Sequence, residues 1–269
     1  MKYKINEVSQ ITGVPVDTLR YYEKIGVISP KIDENNHYRY YEAWDINFIF
    51  DYNNYRKLEY SSRDALNFIH GASLEEQLEM FQIKEKYYES QIDHYEMLRS
   101  RNAKLLEEVQ SLSSSLNQIT IEQTPAYLYI PYRKNYDFDG FKKYKDELNE
   151  WLRRLEMTDN VIMVDKKSAL SKRENTYHWG LMVKEKDFEK TGLRYTENVR
   201  RISEGLCVKI VIFAGGAGTF HYSLLNPAFE FIRKHNFTLS GDPYGILWIR
   251  SHEEGQMHRY FAFYLPIMP

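Results

Sequence analysis

Within about one helical turn, Thr18-Leu19-Arg20-Tyr21-Tyr22 displays one guanidinium and two phenols, groups that suit the phosphate oxygens and base edges of double-stranded DNA. Asp17 opens the same face. Tyr38-Arg39-Tyr40-Tyr41 again sets a base among aromatics, the chemistry of a phosphate grip. Arg56 and Lys57 add a cationic pair, readable as a phosphate contact or as a solvated loop. A different constellation is aromatic: Tyr127, Tyr132, Trp179, Phe220, Tyr222, Trp248, Tyr260 and Tyr264 lie on or near strand-like runs, with Tyr129 and Tyr177 beside them. Flat aromatic walls take lipophilic or aromatic small molecules by stacking and cation-π attraction, and packing of the same rings in a sheet core is the competing reading.

These side chains need elements to position them. Gly13 separates two short amphipathic segments and Pro15 opens the second with a helix-compatible φ, which predicts a helix-turn-helix. Asn6 is expected to cap the first helix, whose inward face is Val8 and Ile11. Asn35-Asn36 reads as the tip of a hairpin that returns Arg39, a wing beside the second helix. Trp44, Phe48, Ile49 and Tyr52 share one face of a further helix, and Leu66 and Ile69 belong to another that completes the core.

From Leu74 to Ile119 there is neither Pro nor Gly. Leu78, Phe81, Tyr88, Ile92, Tyr95, Leu106, Val109, Leu116 and Ile119 fit steps of three, four and seven, with Glu85, Arg99 and Asn102 as polar interruptions. Such a helix spans roughly 65 to 70 Å and needs a partner, so an antiparallel coiled coil between two subunits of a homodimer is expected. Ser111 to Ser115 loosens its end.

Beyond residue 120, strand-like runs at 126–132, 178–183, 208–213, 246–250 and 260–267 alternate with helical runs at 141–156 and 227–235. The order strand, helix, strand, then strand, helix, two strands, reads as a duplicated β-α-β-β unit with a groove between its halves. The expected class is α+β, with residues 1–73 a winged helix-turn-helix, 74–119 a dimerising helix and 120–269 a ligand-binding domain built around that groove.

Composition narrows the function. The formal net charge is −2, and residues 1 to 70 carry nine Lys and Arg against ten Asp and Glu, so phosphate contact rests on how charges are distributed over faces. One cysteine, Cys207, allows neither an internal disulfide nor a thiolate metal site, and its apolar surroundings predict burial. No apolar run reaches membrane-spanning length and no signal-peptide core opens the chain, which predicts a cytoplasmic protein without a membrane partner. Ala214-Gly215-Gly216-Ala217-Gly218 lacks the Lys and Ser/Thr of a phosphate-binding loop, and His178, His221, His252 and His258 have no triad or ligand spacing. No cofactor, metal or catalytic residue is expected.

Gly13 to Pro30 and the Tyr-Arg wing resemble the DNA-binding domain of MerR-family transcription regulators, with His37 where Gly usually precedes Tyr-Arg and Pro15 where a Ser or Thr cap is common. Tyr264-Leu265-Pro266-Ile267, and less closely Gly241-Asp242-Pro243-Tyr244, resemble the GyrI-like effector domain of the drug-binding branch. The resemblance implies a multidrug-responsive activator that binds a two-fold promoter operator, distorts it when liganded, and so engages RNA polymerase. A hydrolase or drug-sequestering protein using the groove is the alternative. Glutamates that this branch carries on its last two strands are replaced by Gly245 and Ala262, which predicts a groove without a buried carboxylate and neutral ligands, or a cation held by aromatic faces alone.

Overall fold

The computed structural model describes residues 2–34, 37–171, 176–215, 220–253 and 255–269. It divides into two compact units, 1–92 and 93–269, the division falling inside one 42-residue helix. Among the described residues no helix is long and apolar enough to cross a membrane.

In the first unit, α1 (Ile5–Thr12) and α2 (Val16–Ile25) form the helix-turn-helix. The cap differs from expectation: α1 starts before Asn6, and the Glu7 carboxylate accepts the Lys4 N–H at 2.7 Å. Gly13 turns the chain at φ 69°, and Pro15 sits immediately ahead of α2 as its cap. Val8 and Leu19 are buried together, whereas Ile11 is exposed, so α1 has a narrower inward face than its spacing predicts.

A hairpin follows, β1 (Lys31–Ile32) against β2 (Arg39–Tyr40), with Lys31 opposite Tyr40 and Ile32 opposite Arg39. Its expected tip, Asn35-Asn36, lies outside the described residues. His37 holds φ 57°, the left-handed region that a glycine enters without strain.

Next come α3 (Ala43–Lys57) and α4 (Ser62–His70). The buried face of α3 is Ile46, Ile49 and Tyr52; Trp44, expected on that face, is 69 % exposed and lies on the solvent side, its ring 6.3 Å from that of Phe48. Helix α5 (Leu74–Ser115) begins at a Ser73–Glu76 capping box, the Ser73 N–H donating to Glu76 at 2.7 Å and the Glu76 N–H to Ser73 Oγ at 3.2 Å. Phe81 stacks on Phe68 at 5.1 Å and the Tyr88 hydroxyl donates to the Leu58 carbonyl, so two members of the expected seam pack within this unit. Leu78, Ile92, Tyr95, Leu106 and Val109 are exposed. The helix stops four residues short of Ile119, because Asn117 takes φ 61° and Ile119 opens a strand.

The second unit contains β3 (Ile119–Thr124), β4 (Tyr127–Lys134), α6 (Lys145–Leu152), β5 (Asp159–Val164), α7 (Lys166–Ser171), β6 (Tyr177–Lys184), α8 (Phe188–Thr191), β7 (Arg200–Ile202), β8 (Gly205–Gly215), α9 (Asn226–Lys234), β9 (Thr238–Leu239), β10 (Tyr244–Glu253) and β11 (Gln256–Met268). One antiparallel sheet has the order β3-β8-β11-β10-β5-β6-β4-β7, with β9 pairing β11. β5 supplies the strand that the first repeat lacked in the sequence reading, so both halves are β-α-β-β. From the centre outward the strands run β5-β6-β4 on one side and β10-β11-β8 on the other, a pseudo-two-fold arrangement joined where Met163 pairs Tyr244.

Strand alternation separates two faces. Helices α6 and α9 cover one: α6 places Leu148 and Trp151 on Leu128, Ile130, Leu181 and Val183, and α9 places Ala228 and Ile232 on β8 and β11. The opposite face gathers Tyr127, Tyr129, Val161, Met163, Met182, Tyr244 and Ile246.

Candidate nucleic-acid interface and tyrosine face

Helix α2 turns Asp17, Arg20, Tyr21 and Lys24 to solvent, with Thr18 half-buried beside them and Tyr21 50 % exposed. Arg20 lies 3.6 Å from Asp17, and both side chains are so open to water that the pair leaves the guanidinium available to a phosphate. Tyr22 is placed differently. It is buried, edge-on to Tyr52 at 5.0 Å, and its hydroxyl donates to Asn53 at 2.6 Å, so it packs the domain. Burial pushes its phenol above the ordinary value.

The hairpin is tied to α2 by one carboxylate. Arg39 Nε lies 3.3 Å from Glu23, and the Tyr41 hydroxyl donates to the same Glu23. Burial, then that hydrogen bond, pushes the Tyr41 phenol well up. Tyr38 is exposed on the hairpin. Arg56 and Lys57 belong to the last turn of α3, not to a loop; Arg56 donates to the Tyr60 carbonyl while Lys57 is exposed.

In the second unit the aromatic candidates divide. Tyr127, Trp248 and Tyr264 belong to the tyrosine face. Trp179, Phe220 and Tyr222 belong to the opposite, helix-covered core, as does Tyr177, and Tyr132 packs against that side as well. Their parity along the strands or the seat of α9 sends them there, so they do not join Tyr127 and Tyr264. Tyr260 shares the parity of Tyr264 but pairs with Phe213, their rings 5.4 Å apart.

Residues not singled out in the sequence complete this face. Tyr244 lies between the others, stacked on Tyr264 at 5.2 Å and edge-on to Tyr127 at 5.9 Å. Burial pushes the Tyr127 phenol up to about 12 and those of Tyr244 and Tyr264 higher still, so all three keep their protons at neutral pH. Burial likewise pushes up the Cys207 thiol, whose sulfur lies 3.4 Å from Thr124 Oγ1.

Charge reaches the face from elements the sequence reading did not connect to it. Lys209 on β8 lies 3.0 Å from Glu122 on β3, with its ammonium 5.8 Å from the Trp248 ring centre and 5.9 Å from that of Tyr264. Asp159 on β5 accepts from Arg101 and, at 2.9 Å, from Lys104, both on α5. Burial alone would raise Asp159, but these two cations outweigh it and hold the carboxyl below its usual range. Glu108, one turn beyond Lys104 and 3.8 Å from it, is pushed up by burial. Carboxylates are therefore present after all, which corrects the expectation built on Gly245 and Ala262. Gly245 faces the helix side, where a Cβ would collide with the Phe263 ring, so a glutamate there could not serve this face. The signal missed was the spacing Arg101, Lys104, Glu108 on one stripe of α5.

Residues 4–41 match the family described as MerR family regulatory protein. An HTH-type transcriptional regulator of Bacillus subtilis (strain 168), YyaN, is 33 % identical over 67 residues, 25 % of this chain and 49 % of that protein, so the chain spans about half the length of the curated relative it matches. A cryo-EM structure of an EcmrR–DNA complex in EcmrR-RPo is 15 % identical with TM-score 0.39, covering 98 % of this chain and 99 % of that one. A hydrolase from Listeria innocua is 11 % identical with TM-score 0.36, covering 60 % of this chain and 98 % of that one. With its glycine turn, exposed α2 face and hairpin inside the matched residues, the N-terminal domain of this chain is a MerR-family helix-turn-helix domain.

Proposed function

We propose that the protein is a dimeric, ligand-responsive transcription regulator of the cytoplasm, acting as an activator. The observation that carries the reading is the MerR-type α2, whose Arg20, Tyr21 and Lys24 stand exposed on one face. Residues 1–73 bind promoter DNA, 74–119 join two subunits, and 120–269 receive a lipophilic or aromatic effector. The exposed apolar residues of α5 support the dimer, since Leu78, Ile92, Leu106 and Val109 gain by removal from water. Two α2 helices then meet a two-fold operator, and the liganded dimer distorts it so that RNA polymerase engages. Tyr127, Tyr244 and Tyr264 act as rings and hydrogen-bond donors and not as bases, because their protons stay on at neutral pH.

Arg20→Ala tests the reading. On a promoter fragment selected from genomic DNA by the wild-type protein, retention in a gel-shift experiment is expected to vanish while sedimentation still gives the dimer. Undiminished retention would overturn the assignment.

A further inference from the structure

The tyrosine face already holds a cation. The Lys209 ammonium occupies the space over Trp248 and Tyr264 where an organic cation would be attracted, and it is balanced by Glu122 at 3.0 Å. A second cation entering there would have to expel the lysine or lie against it, and like charges at contact distance in a half-buried site repel strongly. An anion meets the opposite situation. The ammonium carries three donors, one of them directed at Glu122, and the Lys209 side chain is 22 % exposed, so an entering group can reach it.

We propose that this face takes an aromatic anion, a flat ring bearing a carboxylate or sulfonate, with Lys209 pairing the anion and Trp248 and Tyr264 supplying the ring surface. The proposal rests on the reading of residues 120–269 as an effector domain and gives that effector its charge. The surrounding groups agree with it. The Tyr127 and Tyr264 hydroxyls keep their protons and donate to an acceptor-rich ligand. Of the other charges on the face, Asp159 is neutralised by Arg101 and Lys104, and Glu108 lies 3.8 Å from Lys104. Glu122 is the carboxylate that an anion must share with Lys209.

The test is calorimetric titration of the full-length protein with three matched probes: 2-naphthoate, neutral 2-naphthamide and 2-naphthylmethylammonium. Naphthoate is expected to bind at least about tenfold more tightly than the ammonium, a preference kept by Lys209→Arg and lost by Lys209→Met. Should Lys209→Met fail to fold, Glu122→Gln decides, since freeing the ammonium from its partner strengthens naphthoate and leaves the amide unchanged. Equal or tighter binding of the ammonium or the amide, a preference surviving in Lys209→Met, or naphthoate binding unaltered by Glu122→Gln would overturn the inference while the effector-domain reading stands. If none of the three probes binds, both fall.

Discussion

Alternate residues of the same strands build two faces that differ in kind. Along β11, Phe261, Phe263, Leu265 and Ile267 point to the helices, while Ala262 and Tyr264 point away. Along β5 the same alternation sends Ile162 and Val164 one way and Asp159, Val161 and Met163 the other. The first face is closed by α6 and α9 through apolar contact, which is strong, short-ranged and indifferent to pH. The second is met by one stripe of α5 through ion pairs and bears tyrosine hydroxyls, so its energy changes with charge. A single sheet thus separates a side held by apolar contact from a side whose stability depends on charge.

The contrast can be broken most severely at Phe263, fully buried and stacked on Phe220 at 5.1 Å. Phe263→Ala is expected to cost about 3–5 kcal/mol in urea unfolding, with no dependence on pH. A loss under about 1 kcal/mol would mean the helix face is not the stabilising one.

Asp159→Asn probes the other face and should cost roughly 1–2 kcal/mol at neutral pH, between the values for exposed and buried ion pairs. Because the folded carboxyl titrates below its unfolded value, the stabilisation is present above about pH 4 and lost as pH falls through the folded pKa. Wild type and variant should therefore converge in acid; a difference that persists there would assign the loss to packing.

The smallest effect has the opposite sign. Burial raises Glu108, so its ionisation weakens the fold as pH rises above the ordinary carboxylate value of about 4.3 and through the folded pKa. Glu108→Gln is expected to stabilise the protein by less than about 1 kcal/mol at pH 8 and to leave it unchanged at pH 4, read from thermal unfolding at the two pH values.

The N-terminal domain was legible because its signals are local. Gly13, Pro15, Leu19 and Gly26 lie within fourteen residues of one another, and each fixes a turn, a cap or a core position by its own chemistry. The order of elements along the second unit was half legible. β5 escaped because Val161 to Val164 is buried on both faces and shows no alternation, and β3 because Ile119 continued the spacing of the preceding helix. Period two tells that Trp179 and Tyr127 alternate with their neighbours, but which face a helix covers is decided by contacts far along the chain. The same holds for Lys209, whose partners Glu122 and Trp248 lie on strands distant in sequence.

The junction of α5 with the sheet has a mechanical consequence. Only residues 116–118 separate the helix from β3, and even these are engaged, Leu116 bridging to Val211 and the Asn117 N–H donating to the Val211 carbonyl at 2.7 Å. Three residues reach about 10 Å at full stretch, so the end of the helix has little slack. β3 itself is laced to β8 from Ile119 opposite Ile210 to Thr124 opposite Gly205. A pull on the helix therefore reaches the β3–β8 ladder of hydrogen bonds with little slack, and the last turns of the helix behave as a spliced cable end, where a freely swinging hinge would have let the load slip.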